Sequence, residues 1–206
     1  MPLEPVILFF MLGLLAGLLR SDLKIPPVLY ESLSIFLLLA IGLKGGVELA
    51  RQPVGDLLLP ALVIVAIGAS LPLLAFPILQ RLGRLSRADA ASVAAHYGSV
   101  SVVTFAVGAA YLSQLGQEYE GYMAVFLVLL EFPALMVGVW LARRGDPQSG
   151  LGKVLHEVFA GKSIVLLVGG LAIGWAAGAD GIKPLDKVFF DLFKGALAIF
   201  LLEMGL

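Results

Sequence analysis

A chain of 206 residues that is 60% hydrophobic and 14% charged, with a mean hydropathy of +0.99, lies far from the composition of a soluble domain. Its net charge of −1 excludes the basic footprint of a nucleic-acid binder, and its lack of cysteine excludes disulfides, thiolate metal sites and cysteine nucleophiles. Long apolar runs broken by short polar turns describe an all-α polytopic membrane protein, because a helix satisfies its own backbone in lipid.

A membrane helix needs about twenty apolar residues. In chain order the candidates are Pro5 to Leu19, Pro27 to Val47, Leu57 to Leu79, Ala88 to Leu112, Tyr122 to Ala142, Ser163 to Ala179 and Val188 to Leu206, about seven spans in all. The first is short enough to resemble a signal-peptide core. It lacks a positively charged n-region, however, and Leu19-Arg20-Ser21-Asp22 is a poor cleavage site, so it reads as a span. Turn formers mark the connections at Lys24-Ile25-Pro26-Pro27, Gln52-Pro53-Val54-Gly55, Gly145-Asp146-Pro147-Gln148-Ser149-Gly150 and Ile182-Lys183-Pro184. Between Arg143 and Lys162, Leu151, Val154, Leu155, Val158 and Phe159 recur at helical spacing opposite Lys153 and Glu157, the pattern of a short amphipathic helix at the interface.

Lys and Arg alternate in abundance from one connection to the next. Arg20 and Lys24, then Arg81, Arg84 and Arg87, then Arg143, Arg144, Lys153 and Lys162 follow the odd spans, whereas the other side holds Arg51, Lys183 and Lys187. The positive-inside rule places the N-terminus outside and the long central loop in the cytoplasm.

The chain also repeats itself. Gly13-Leu14-Leu15-Ala16-Gly17 recurs as Gly170-Leu171-Ala172-Ile173-Gly174; each copy precedes a polar break with Lys and Pro, then a span ending Ala40-Ile41-Gly42-Leu43 or Glu203-Met204-Gly205-Leu206. A five-span unit has an odd number of crossings, so a second copy enters the membrane inverted, an architecture of many secondary transporters. The expected organisation is a first five-span repeat over residues 1–143, a cytoplasmic loop with its amphipathic helix over 144–162, and the first two spans of an inverted second repeat over 163–206. That second repeat is incomplete, as in a truncated form of a protein of about ten spans.

Polar residues interrupt the fourth span in its middle: His96-Tyr97-Gly98-Ser99-Val100-Ser101-Val102-Val103-Thr104. An unpaired hydroxyl or amide in hydrocarbon costs several kcal/mol, so such a stretch lines a cavity or binds a substrate. If Gly98 permits the helix to break, the following half-helix presents free N–H groups and partial positive charge at membrane depth, an anion site. Ser99, Ser101 and Thr104 would add hydroxyl donors, and carbonyls freed on the other side suit a hard cation. The alternative is that the hydroxyls bond back to their own helix and Gly98 is a packing notch. Glu131, deep in the fifth span ahead of Pro133, is a functional candidate for ion coupling or else a protonated carboxyl bonded between helices. His96 is the second ion-coupling candidate, with a structural donor as its plainer reading.

Three motifs over Ile25 to Arg144 carry a resemblance. Ile41-Gly42-Leu43-Lys44-Gly45-Gly46, His96-Tyr97-Gly98-Ser99-Val100-Ser101 and Glu131-Phe132-Pro133-Ala134-Leu135 resemble, in order and spacing, the Ile-Gly-Leu-Thr-Gly-Gly, Gly-Ala-Val-Ser-Gly-Ser-Thr and Asp-Ile-Pro-Ala-Leu runs of the sodium-dependent bicarbonate transporter family, best known from cyanobacteria. The family's Ser-Gly-Ser-Thr stands here as Ser101-Val102-Val103-Thr104, with one glycine and one hydroxyl lost. The resemblance implies a sodium–bicarbonate symporter of a bacterial inner membrane, with mobile core and gate domains. It also implies a homotrimer, in some members regulated by a cytoplasmic PII-like protein, and no cofactor beyond Na+ as coupling ion. Bicarbonate would lie at Gly98, Ser99, Ser101 and Thr104, and coupling would involve Glu131 and His96.

Other classes compete with that expectation. A cation–proton antiporter would carry aspartates near its crossing, and the fourth span has only Asp89 at its edge. An intramembrane serine protease would need a base from another helix, and His156, the other histidine, lies in the cytoplasmic loop; the expectation is no enzyme. A transporter of another small anion, and a short form that assembles or regulates without transporting, are the remaining alternatives.

Overall fold

The computed structural model describes residues 5–120, 122–144, 152, 156 and 158–206, and all regular structure among them is helical. In chain order the helices are α1 (Pro5–Leu18), α2 (Pro27–Ala50), α3 (Val54–Arg81), α4 (Arg87–Gly98), α5 (Val102–Gln114), α6 (Met123–Arg143), α7 (Lys162–Ile182) and α8 (Phe193–Gly205). Four of the expected spans form continuous helices long and apolar enough to cross a membrane, within α2, α3, α6 and α7. The first is a 14-residue helix, about 21 Å long, and the fourth is two half-helices. The expected turn at Ile182-Lys183-Pro184 is tighter than a loop: a 3₁₀ turn at Lys183–Leu185 and a π turn at Lys187–Asp191 lead directly into α8. Gly178 kinks α7 one turn before this, with φ 62 and ψ −175. Of the expected interfacial helix, Leu151, Lys153, Val154, Leu155 and Glu157 lie outside the described residues. Val158 is buried, and the Phe159 ring packs on Phe132 with centroids 4.8 Å apart.

Helices α1, α2, α7 and α8 make one bundle, with α1 against α8 and α2 against α7. Glycine allows both crossings. A methyl at Gly42 would meet the Leu167 carbonyl oxygen at 2.6 Å and the Gly170 Cα at 3.1 Å; one at Gly13 would meet the Gly205 Cα at 3.1 Å. Such small-residue contacts are how membrane helices gain packing energy where lipid supplies no hydrophobic drive. The contacts advance together, Gly42 over Leu167 and Gly46 over Leu171, Gly13 over Leu202 and Gly17 over Leu206, so both pairs run parallel. The recurring motif makes both crossings with the same positions: Gly13 and Gly170 head the two copies, and Gly42 and Gly205 close the spans that follow. Fully buried Leu167 and Leu197 anchor the core, the Tyr30 and Phe200 rings stack at 4.7 Å, and Lys162 Nζ lies 3.8 Å from Glu31 at the shared end of α2 and α7.

A second group of α3, α4 and α6 packs beside the first, with α6 bridging to α2 and α7. On its outer side α3 exposes Leu58, Leu59, Leu62, Leu74 and Ile78, an apolar face suited to lipid and too large for a water-facing surface.

Candidate functional site

Local chemistry sets both ends of α4. Ser86 caps it: its Oγ accepts from the Asp89 N–H at 3.2 Å and donates to the Asp89 carboxylate at 2.6 Å. Arg87 Nε donates to the Leu141 carbonyl at 3.0 Å, which ties this end to the last turn of α6. Ala90, Ala91, Ala94 and Ala95 then bury a small-residue face against α3 and α6.

The fourth span breaks where the polar cluster predicts, but the glycine works differently. Gly98 ends α4 without a positive φ, and the extended backbone falls on Ser99 (φ −101, ψ 155) and Ser101 (φ −65, ψ 120), values open to any residue. What requires glycine is space: a methyl there would lie 2.6 Å from the Gly68 carbonyl oxygen and 2.8 Å from both Pro72 Cδ and Ala134 Cβ. Gly98 is thus the packing notch, wedged between α3 and α6, while serines carry the break.

Ser101 is the N-cap of α5, its Oγ accepting from the Thr104 N–H at 3.3 Å. By helix geometry the Val102 and Val103 N–H groups have no acceptor within the half-helix, and the Ser101 hydroxyl proton is a further donor at this end. Replacing Ser101 by alanine removes the cap, and the expected loss is about 1 kcal/mol of stability, read as a lower melting temperature in detergent. An unchanged melt would mean that the cap carries no energy.

Ser99, His96 and Glu131 come together around a cavity of about 360 Å³, with Ala95, Leu135 and the start of α7, Gly161 to Ile164. Ser101 and Thr104 do not line it; both are exposed at the α5 side of the break, and Gly98 is buried beneath. Glu131 is 9% exposed, and its Oε2 is the buried side-chain oxygen without a hydrogen-bond partner among the described residues. His96 Nδ1 lies 2.8 Å from the Ser92 carbonyl; a carbonyl only accepts, so Nδ1 carries a proton and donates to it. Sequence reasoning left Lys162 and Ser163 out of the site. The local pattern puts Lys162 at the end of a loop, and only the α2–α7 crossing brings the uncapped start of α7 to the break.

The long apolar helices make this chain an all-α membrane protein, and its interrupted helix sets hydroxyls at the break beside a buried carboxylate in a cavity. A family model described as the Na+-dependent bicarbonate transporter superfamily matches residues 5–206, and the chain belongs to that superfamily. No curated protein matches it.

Proposed function

We propose that the protein is a sodium-coupled bicarbonate symporter and carries out no enzymatic step. The observation that carries this reading is the break itself: the start of α5, with Ser101 and Thr104, on one side, and on the other a cavity holding Ser99, His96 and Glu131, whose Oε2 has no hydrogen-bond partner among the described residues. A planar monoanion fits the first, where the Val102 and Val103 amides and the Ser101 and Thr104 hydroxyls donate. The second suits sodium, a hard cation that takes oxygen ligands from Glu131 and the carbonyls at the end of α4, with His96 fixing the last turn. Binding the two on either side of one break makes each favour the other, which is the coupling a symporter needs.

The same reading takes residues 163–206 as the opening of an inverted repeat. Its support is reciprocity: Gly13 on Gly205 and Gly170 on Gly42 exchange under a two-fold axis relating the motif copies. The α1–α2–α7–α8 bundle would act as the gate and α3, α4, α5 and α6 as the moving core, with the N-terminus outside a bacterial inner membrane. The trimer and the PII-like regulator belong to the same proposal. The test is uptake of labelled bicarbonate into proteoliposomes by the protein, with and without a sodium gradient. Uptake driven by an inward sodium gradient is expected, and uptake indifferent to sodium would overturn symport.

A further inference from the structure

A second, larger cavity of about 490 Å³ lies between α2, α5 and the α7–α8 turn. It descends α5 from Ser113 to Phe105, about 12 Å, and so stops one residue from Thr104 at the break. The α7 residues Lys162, which lines the smaller cavity, and Ile182, which lines the larger, stand at opposite ends of a helix about 30 Å long. The larger cavity therefore opens at the other end of the bundle.

Its walls are apolar and its charges are unbalanced. Lys44, Arg51, Lys183 and Lys194 line it against Glu48 and Asp186, four cations to two carboxylates. Arg51 is held by Glu48 at 2.9 Å and Lys183 by Asp180, outside the cavity, at 2.7 Å. Among the described residues Lys44 and Lys194 have no ion-pair partner. Tyr119, in the loop after α5, adds a phenol whose pKa burial, and then the Glu48 carboxylate, push up, so it remains an O–H donor. A volume of 490 Å³ equals roughly sixteen waters at about 30 Å³ each, far too roomy to grip an anion the size of bicarbonate and right for a hydrated one in transit.

We propose that this cavity is an entry vestibule, a collecting site for small monovalent oxyanions distinct from the break, in which Lys44 and Lys194 raise the local anion concentration ahead of the α5 N-terminus. The proposal rests on the anion-transport reading above. Clefts of one charge with low-dielectric walls focus the field and raise encounter rates tenfold or more, and salt weakens the effect.

The chain has no cysteine, so Ala109→Cys, on the cavity wall, introduces a single reporter thiol. Its reaction rates with the anionic 2-sulfonatoethyl and the cationic 2-trimethylammonioethyl methanethiosulfonates are compared with those of a free thiol, in the full-length protein in liposomes. The vestibule predicts an anionic-to-cationic preference about tenfold above the free thiol. It should be lost in Lys44→Gln/Lys194→Gln and kept in Lys44→Arg/Lys194→Arg, which guards against misfolding. A preference at or below the free thiol overturns the proposal, as does one that survives the glutamine pair, or a thiol that neither reagent reaches. In the uptake assay the glutamine pair should raise KM for bicarbonate several-fold with Vmax nearly unchanged. The two readings fail separately: a strong thiol preference without sodium-driven uptake sinks symport alone, while sodium-driven uptake with a flat preference sinks the vestibule alone.

Discussion

Valine at Gly42 is expected to abolish the folded protein, with a loss of at least about 3 kcal/mol, near the upper end of what overpacking costs. Any Cβ at this position meets backbone, the Leu167 carbonyl oxygen at 2.6 Å and the Gly170 Cα and Leu171 nitrogen at 3.1 Å, and backbone in a helix cannot swing aside as a side chain does. Relief requires α2 and α7 to separate, which strips the contacts around Leu167 as well. Gly169 supplies the control. It neighbours Gly170 on the same helix, yet a methyl there meets nothing within 4 Å, so Gly169→Ala should be neutral or stabilise by up to about 1 kcal/mol through helix propensity. The measurement is the monodisperse fraction and melting temperature in mild detergent. A wild-type melt for Gly42→Val would show that the α2–α7 crossing is looser than its glycines imply. Gly205→Val, at the reciprocal position against α1, should fail to a similar degree.

The repeat that carries Gly42 and Gly205 was legible in the sequence, but that both glycines serve close crossings depends on which helices meet, and a repeat does not express that. The break was legible too: hydroxyls and a glycine grouped at membrane depth conflict with an uninterrupted apolar span, and the conflict marked the place to within a residue. What Gly98 does there was not legible. Whether a glycine serves torsion or space depends on Gly68, Pro72 and Ala134, which come from two other helices. Lys162 was missed on the same grounds, since its place beside Ser99 and Glu131 follows from a helix crossing and from nothing within several residues of it. The π turn before α8 and the kink at Gly178 have local causes but weak local signals, for Lys183-Pro184 reads equally well as a loop. Of the site residues, Glu131, His96 and Ser99 share one cavity, and Ser101 and Thr104 do not line it, a division that a linear motif cannot express.

Glu131 provides the other large expected effect, a dependence of stability on sodium. Its Oε2 is buried with no donor among the described residues, and a buried oxygen left unpaired costs about 1–3 kcal/mol, more if it is charged. Proteins retain such a group where something outside the fold completes it. Lys162 lines the same cavity but sits at a loose 3.8 Å from Glu31, which leaves a bound cation as the natural partner. A ligand that binds only the folded state stabilises it by RT ln(1 + [L]/Kd), about 2.7 kcal/mol at a hundredfold excess over Kd, so wild-type melting should climb with sodium and stay flat with choline as the control cation. Glu131→Gln keeps the shape and removes the charge. It should melt at or above the wild type without sodium, gain nothing when sodium is added, and lose sodium-driven uptake. A variant that still responds to sodium like the wild type would place the cation elsewhere. One that is destabilised by 2 kcal/mol or more without sodium would make Glu131 an interhelical hydrogen-bonding group, whose partner the carboxyl form alone can satisfy.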